Sequence, residues 1–371
     1  MRFFGPAAKH PVDPWLLWIT IGLTVLGFII LTSASIGLLA REGAQMSTIV
    51  LTRLLATLAG ACAAYVASVI DYRLLRKYAL AFLLASMVLA GLVFVPEIGV
   101  THGGAQRWIS LFGLVTFQPS ELLKVAFVIY AAALFAAMRD RIATITYGFI
   151  PLIALLCIAG LLLLLQPDTD TFIVLFLALV GQFLVANGRF RHLAVVFVGG
   201  ALVLSLLIFS RPYLMARITT FIYPGADLSG AGYQVNQSLI AIGSGGLLGK
   251  GFGQSVQKFS YLPEPIGDSI FAIAGEEFGF VGSVFLVMLF LALILRGLRT
   301  GARAPDLFSG LLSTGIVILI GASAFMNMAS MLAIIPLSGL PLSFVSHGGT
   351  ALFIALAEVG ILLNISRYQR S

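Results

Sequence analysis

Three polar residues stand at the edges of apolar segments, in a pattern that could do chemistry. Asp268 follows an irregular stretch that contains prolines and a glycine, and it directly precedes an apolar helix. Arg107 adjoins Trp108 in a connecting segment, and Lys124 lies near the start of another apolar helix. An arginine offers a bidentate fork and a lysine a point charge, so the two cations are suited to a phosphate group. A carboxylate facing such a pair has the geometry that a general base requires.

Several of these residues also have a purely structural interpretation, which the sequence leaves open. Asp268 and Asp168 each stand where a helix N-cap is expected. Glu121 and Lys124 are three residues apart, so they fit an ion pair on one helical face. In a functional interpretation, Asp168 and Glu264 are further candidates for the same site as Asp268.

The segment 336–350 carries small and hydroxyl residues after two prolines. This pattern indicates a broken helix whose backbone faces a cavity, and it makes Ser346 and His347 candidate binding residues. Tight helix packing through Gly348 and Gly349 is the alternative.

Motifs of other site types do not occur in the sequence. The glycine-rich segment 243–253 lacks the spacing of a Walker loop, so we interpret it as a flexible hairpin or lid with tight turns. The four histidines show no metal-ligand spacing, and there is no Ser/His/Asp order with a nucleophile elbow. Glu276 and Glu277 lie within an apolar helix, where ionised carboxylates need partners.

The elements that must position these groups are membrane-spanning helices. Of the 371 residues, 60% are hydrophobic and only 10% are charged, and the mean hydropathy is +1.05. A soluble domain has about 25% charged residues. Apolar runs of about 17–25 residues predict an all-α membrane protein with ten transmembrane helices in one polytopic domain, residues 1–371. The runs cover residues 15–39, 48–70, 78–95, 119–138, 145–165, 171–186, 192–210, 269–295, 307–333 and 345–364.

The basic residues predict the orientation of these helices. They concentrate at every second connection, and those connections hold 14 of the 22 lysines and arginines. Because positively charged loops stay in the cytoplasm, both termini are predicted to be cytoplasmic. The net charge of +7 is therefore mainly a topology signal and does not indicate nucleic-acid binding. The residues concerned are Arg2, Lys9, Arg73, Arg76, Lys77, Arg139, Arg141, Arg189, Arg191, Arg296, Arg299, Arg303, Arg367 and Arg370.

Two connections on the opposite, outer side are long enough to carry a function. Residues 96–118 form a medium loop that includes Arg107, and residues 211–268 form a long loop between helices 7 and 8 that ends at Asp268. A structureless loop of that length is unusual. Its apolar and aromatic residues favour re-entrant or interfacial helices over disorder.

A set of short motifs is distributed along almost the whole chain. They are Asp13-Pro14-Trp15, Arg107-Trp108-Ile109, Gln118-Pro119-Ser120-Glu121 with Lys124, Gln166-Pro167-Asp168, Gly245-Gly246-Leu247, Leu262-Pro263-Glu264 to Asp268, Gly275-Glu276-Glu277, Ser346 to Gly349, and Leu363-Asn364-Ile365-Ser366-Arg367. In this set the chain resembles the SEDS family (shape, elongation, division and sporulation), the ten-helix peptidoglycan polymerases of bacteria. It is more similar to the cell-division, FtsW-like branch than to the elongation, RodA-like branch. It departs from the usual pattern at residues 266–269, where the family commonly has His-Thr-Asp-Phe. It also departs at Asp170, where a glycine is common, and at His347, where a tyrosine is common.

The resemblance implies an inverting glycosyltransferase that polymerises lipid II at the outer face of the bacterial cytoplasmic membrane, for septal wall synthesis. Asp268 matches the family's catalytic aspartate, and Arg107 and Lys124 match basic residues of its substrate groove. Asp268 is then expected to deprotonate the acceptor sugar's 4-hydroxyl, which attacks the donor's anomeric carbon. The supporting, substrate-binding positions are Trp108, Glu121, Asp168, Glu264, Ser346 and His347.

The resemblance also implies partners, namely a class B penicillin-binding protein, which is a transpeptidase, and other proteins of the divisome. The sequence requires no cofactor, although carboxylates and a pyrophosphate are suited to a divalent cation, Mg²⁺ or Mn²⁺. Three alternatives stay open: a flippase for the same lipid-linked precursor, a scaffold that only recruits a transpeptidase, and an elongation-type polymerase. Glycine-broken helices and internal charges are typical of transporters as well, but the candidate residues cluster on the outer side instead of at the midplane.

Overall fold

The computed structural model describes residues 10–42, 46–102, 105–111, 115–223 and 230–369. These residues form an all-α membrane protein with a small β-sheet. Arg2, Lys9 and Arg370, on which part of the predicted orientation rests, lie outside the described ranges. The helices are α1 (Pro14–Glu42), α2 (Met46–Val69), α3 (Arg73–Gly91), α4 (Pro119–Ala137), α5 (Ile150–Leu165), α6 (Thr169–Val185), α7 (Phe190–Ser210), α8 (Pro212–Ile222), α9 (Ala231–Ser244), α10 (Gln257–Ser260), α11 (Ile270–Ala302), α12 (Leu307–Met331) and α13 (Gly349–Ser366).

Nine helices in the described ranges are long and apolar enough to cross a membrane. Helix α6 coincides with the predicted span at residues 171–186, but with 17 residues it is shorter than each of these nine helices. At 1.5 Å per residue its length is about 26 Å, against about 30 Å for the hydrocarbon core of a bilayer. The all-α membrane fold is therefore confirmed, whereas the count of ten crossings and their orientation stay predictions.

Helices α4, α12 and α13 form the centre of the bundle. The apolar stretch of α4 is 67% buried and those of α12 and α13 are each 78% buried, against 11% for α7. Polar groups between these helices must be satisfied within the protein, because lipid offers no hydrogen bonds. The side-chain NH2 group of Gln182 in α6 is an example, since its Nε2 donates to both Val128 O and Leu311 O at 3.0 Å.

The predicted outer loop 96–118 contains a three-stranded antiparallel sheet, which the sequence analysis did not predict. Its strands are β1 (Gly99–His102), β2 (Ala105–Leu111) and β3 (Val115–Phe117), in the order β1-β2-β3. On β2, Ile109 is 3% exposed while its neighbours Trp108 and Ser110 are half-buried, as expected for side chains that alternate between faces. So few alternating residues give too weak a period to indicate a strand.

The long segment 211–268 contains helices α8, α9 and α10 in its described part, and residues 224–229 lie outside that part. Large apolar side chains are exposed on α8 and α9, among them Met215, Phe221 and Leu239. Such exposure is typical of helices that lie at a membrane interface.

The glycine-rich segment 243–253 packs into a break in α11, which differs from the flexible lid that the sequence suggested. The break is at Gly279, whose backbone is non-helical (φ 66°, ψ −163°). Near it, Gly251 N donates to Glu277 O at 3.0 Å. A Cβ on Gly249 would lie 2.1 Å from the same oxygen, so only glycine permits this approach. The broken helix leaves backbone groups to which the loop binds, and this fixes the loop.

Candidate active site

Asp268 lies two residues before α11, at the end of the bundle where α4, α6 and α13 begin. Asn327 of α12 holds the main chain here, because its Nδ2 donates to Asp268 O and to Leu340 O, both at 2.8 Å. Ser346 Oγ donates to Gly267 O at 2.8 Å. The turn that carries Asp268 is therefore fixed by α12 and by the segment that precedes α13.

Ser346 and His347, both predicted binding residues, lie against this turn and contact its main chain. The backbone N–H of His347 donates to Ile266 O at 2.8 Å. Arg53 of α2 in turn donates through Nη1 to Ser346 O at 2.6 Å. Burial and, secondly, the charge of Arg53 lower the pKa of the His347 imidazole, which favours the neutral ring. These contacts give Ser346 and His347 a positioning role for the Asp268 turn.

The electrostatic surroundings of Asp268 are those of a proton acceptor. Burial raises the pKa of its carboxyl to about 7, and the carboxylates of Glu264 and Asp170 contribute to the increase. The charges of Arg217 and Arg107 oppose it. A carboxyl with this pKa exists in both protonation states near neutral pH, as a general base must.

Arg107 anchors the turn that leads into α6. Its Nε donates to Gln166 O at 3.2 Å, its Nη2 donates to Pro167 O, and its Nη1 lies 3.6 Å from Asp168 Oδ1. Ser120 Oγ donates to the other carboxylate oxygen of Asp168 at 3.2 Å. Burial raises the pKa of the Asp168 carboxyl, although Arg107 opposes the increase. Arg107 and Asp168 therefore lie together, and the guanidinium of Arg107 binds the turn that precedes α6.

Lys124 and Glu121 form the ion pair that their spacing predicted, with Nζ to Oε1 at 2.9 Å. Both line a small cavity between α4, α12 and α13, together with Ser323, Ser343 and Glu358. Glu358 is 5% exposed. Glu358 was not among the predicted site residues, because it is a single acidic residue in an otherwise apolar run.

Another ion pair, which was not predicted from the sequence, lies next to Asp268. Arg217 of α8 donates through Nη1 to Asp170 Oδ2 at 2.9 Å, and Gly339 N donates to the same oxygen at 3.0 Å. An ideal Cβ on Gly339 would lie 3.6 Å from Asp268 Oδ2 and 3.6 Å from Arg217 Nη2. One feature of the sequence could have indicated Arg217 as a site residue: it is one of few basic residues on the predicted outer side.

The remaining predicted residues are Trp108, which lies on β2, and Glu264, which lies in the turn before Asp268. Trp108 pairs with Val100 between β2 and β1. Glu264 is exposed, and its carbonyl oxygen accepts from Ser269 N at 3.2 Å, which closes the turn around Asp268. Glu264 therefore shapes the turn through its main chain and affects Asp268 through its charge.

Glu276 and Glu277, the carboxylates inside α11 that needed partners, each pair with a lysine. Glu277 Oε1 lies 2.7 Å from Lys258 Nζ, and both side chains are fully buried. Glu276 Oε1 lies 2.6 Å from Lys250 Nζ. Ser33 of α1 donates through Oγ to Glu277 Oε1 at 2.6 Å. These contacts fasten the segment between α9 and α11 to α1 and α11, which supports the turn that follows at Asp268.

Taken together, these groups are suited to removing a proton from a hydroxyl and to stabilising an anion. A carboxyl that titrates near neutral pH lies beside Arg217, and Arg107 and Lys124 add positive charge at the same end of the bundle. In the part of the chain that the structure describes, no three His, Cys, Asp or Glu side chains are grouped so as to hold a metal ion.

Comparison with known proteins gives concordant matches over nearly the full chain. The family described as cell cycle protein, FtsW/RodA/SpoVE, matches residues 14–371. The stage V sporulation protein E of Bacillus subtilis is 35% identical over 98% of this chain and 99% of its own length. A probable peptidoglycan glycosyltransferase FtsW of Geobacter sp. (strain M18) is 36% identical over 96% of this chain and 97% of its own.

Two solved structures have a similar fold. One is a chain from work on how a peptidoglycan synthase complex coordinates polymerization and crosslinking, with a TM-score of 0.79 and 28% identity over 96% of this chain and 98% of that chain. The other is the rod shape determining protein RodA of Thermus thermophilus, with a TM-score of 0.71 and 25% identity over 97% of this chain and 98% of that chain.

Proposed function

The chain belongs to the FtsW/RodA/SpoVE family, and we propose that it polymerises lipid II into glycan strands for septal wall synthesis in cell division. It is a peptidoglycan glycosyltransferase and a multi-pass membrane protein. The proposed place of reaction is the outer face of the bacterial cytoplasmic membrane. The observation that carries the proposal is Asp268, whose carboxyl has a pKa of about 7 and lies among cationic side chains at one end of the bundle.

In the proposed reaction, Asp268 accepts the proton of the acceptor sugar's 4-hydroxyl. The 4-oxygen bonds to the donor's anomeric carbon with inversion, and the bond from that carbon to the pyrophosphate breaks. The electron pair of the broken bond stays on the pyrophosphate, to which Arg107 and Lys124 supply positive potential. Base catalysis contributes roughly 10²–10⁴ in rate, and stabilisation of the developing charge is usually the larger effect.

The supporting residues act around this centre. Asp168 orients Arg107, and Glu121 orients Lys124, through the ion pairs at 3.6 Å and 2.9 Å. Ser346 and His347 hold the Asp268 turn, while Trp108 and Glu264 form the rim through which the sugars enter. The segments 96–118 and 211–268 are proposed to lie on the outer side, the second at the membrane interface.

The proposed partners are a class B penicillin-binding protein and other divisome proteins. Similarity to a chain of a peptidoglycan synthase complex supports an assembly of polymerase with transpeptidase. A cognate transpeptidase of that class is accordingly expected to increase the rate of polymerisation by the purified chain.

The proposal is tested by lipid II polymerisation with purified wild-type chain and Asp268→Asn, each with the cognate transpeptidase. Asp268→Asn keeps the size of the side chain and removes the base, so the rate is expected to fall at least about 100-fold. Asp140→Asn, at an exposed position in the connection between α4 and α5, is the matched control and is expected to keep the wild-type rate. Equal rates for Asp268→Asn and wild type would show that Asp268 is not the base.

A further inference from the structure

Arg217 is a cation that the proposed mechanism above does not use. It is held on two sides, by Asp170 at 2.9 Å and by packing over the Tyr213 ring at 5.9 Å. Tyr213 OH also lies 2.8 Å from Thr169 Oγ1, which fixes α8 on the start of α6. The guanidinium thus has a defined position in the protein.

That position is next to the proposed base. A Cβ on Gly339 would be 3.6 Å from both Arg217 Nη2 and Asp268 Oδ2, so these two atoms are no more than about 7 Å apart. A glycine between them leaves the space that a side chain would fill. A reacting group bound at Asp268 therefore has Arg217 as its neighbouring cation.

Arg217 is also more accessible than the two cations predicted from the sequence. The side chain of Arg217 is 23% exposed, against 14% for Arg107 and 7% for Lys124. Arg107 is committed to two carbonyl oxygens and a carboxylate, and Lys124 is paired inside the bundle. A guanidinium carries five N–H donors, so Arg217 can bind an oxyanion while it keeps its bond to Asp170.

Arg217 also lines a small cleft. Apart from Arg217 and Thr220, the residues that line the cleft are apolar: Phe221, Val235, Ala333, Ile335 and Leu337. A cation beside apolar lining residues matches a ligand with an anionic head and a hydrocarbon chain.

We propose that Arg217 binds the departing pyrophosphate of the glycosyl donor and that the apolar residues of the cleft contact the first isoprene units of its polyprenyl chain. This inference rests on the proposed function and names a residue and a lipid subsite for it. When the bond between the anomeric carbon and the pyrophosphate oxygen breaks, its electron pair stays on that oxygen, and Arg217 stabilises the charge. The proton of the acceptor hydroxyl goes to Asp268. Donors that bind developing charge are each worth about 10²–10³ in rate.

The first test measures binding of undecaprenyl pyrophosphate to the purified full chain, so it does not depend on polymerisation. Arg217→Ala is expected to weaken binding at least about tenfold, the loss of one charge-assisted contact. Arg211→Ala, an exposed position at the start of the same helix, is the matched control and is expected to bind as wild type does. Undecaprenol, which lacks the pyrophosphate, is expected to bind wild type and Arg217→Ala equally.

Further variants separate binding from a structural role of the Arg217–Asp170 pair. Asp170→Asn removes the partner and keeps the cation, so undecaprenyl pyrophosphate is expected to bind at least as tightly as in wild type. Val235→Phe fills the cleft and is expected to weaken the binding of undecaprenyl pyrophosphate and of geranyl pyrophosphate, but not the binding of inorganic pyrophosphate. If Arg217→Ala does not purify as a folded monomer, Arg217→Gln replaces it.

The kinetic test measures kcat for lipid II polymerisation. In Arg217→Ala this kcat is expected to fall about 100-fold or more. Unchanged binding of undecaprenyl pyrophosphate in Arg217→Ala, or an equal loss in Asp170→Asn, would overturn the inference. If wild type binds this lipid through Arg217 but does not polymerise lipid II, the inference on the site holds and the proposed function fails.

Discussion

Glu264 provides a way to change the protonation of Asp268 without touching the carboxyl itself. Burial is the main cause of the pKa of about 7 at Asp268, and Glu264 is the first of the charged groups that raise it. Glu264→Gln removes a negative charge that disfavours ionised Asp268. The pKa of Asp268 therefore falls, and the acidic limb of the activity profile moves to lower pH. Since Glu264 is exposed, its charge is partly screened, and the expected displacement is about 0.5–1 pH unit.

The magnitude follows from the ionised fraction of the base. With a pKa of about 7, Asp268 is roughly one-eleventh ionised at pH 6 and ten-elevenths ionised at pH 8, so kcat in wild type should rise about tenfold between them. In Glu264→Gln the same ratio should drop to between about fourfold and twofold. At pH 8 the two proteins should have nearly equal kcat, because Asp268 is ionised in both.

The assay is initial-rate polymerisation of saturating lipid II from pH 5.5 to 8.5 at constant ionic strength. Glu97→Gln is the matched control: it removes an exposed carboxylate from the segment before β1, and its profile should match that of wild type. The electrostatic reasoning would be refuted if the acidic limb of the kcat profile moved to higher pH in Glu264→Gln. It would also be refuted if the acidic limb of the wild-type profile lay near pH 4.

Three further predictions concern the supports of the site. Lys258→Met leaves a fully buried carboxylate without its cation, so the free energy of unfolding should fall by roughly 3–5 kcal/mol in a detergent titration. Gly249→Ala places a Cβ 2.1 Å from a carbonyl oxygen at φ +82°, so its melting temperature should drop by several degrees, whereas Gly22→Ala, with no atom within 4 Å, should melt as wild type does. Asn327→Ala removes both hydrogen bonds that fix the Asp268 main chain, so kcat should fall about 10-fold to 100-fold at little changed KM, and an unchanged kcat would contradict this role.

Pairs of residues near each other in the chain were predictable, because their geometry is set by one helix. The spacing of Glu121 and Lys124 fits an ion pair, which was one of two interpretations left open by the sequence, and the structure has the pair at 2.9 Å. The partners of residues far apart were not predictable. Asp170 and Arg217 are 47 positions apart, and their contact depends on how α8 folds back over α6.

The class of protein follows from the sequence, and so does the candidate position of Asp268. Hydrophobicity and charge are properties of composition, so apolar runs and the position of Asp268 at the mouth of one could be derived directly. The tertiary structure alone decided which groups surround Asp268. Its pKa depends on burial and on Glu264, Asp170 and Arg217, which come from different segments, and only their packing at one end of the bundle sets the distances on which these charges act.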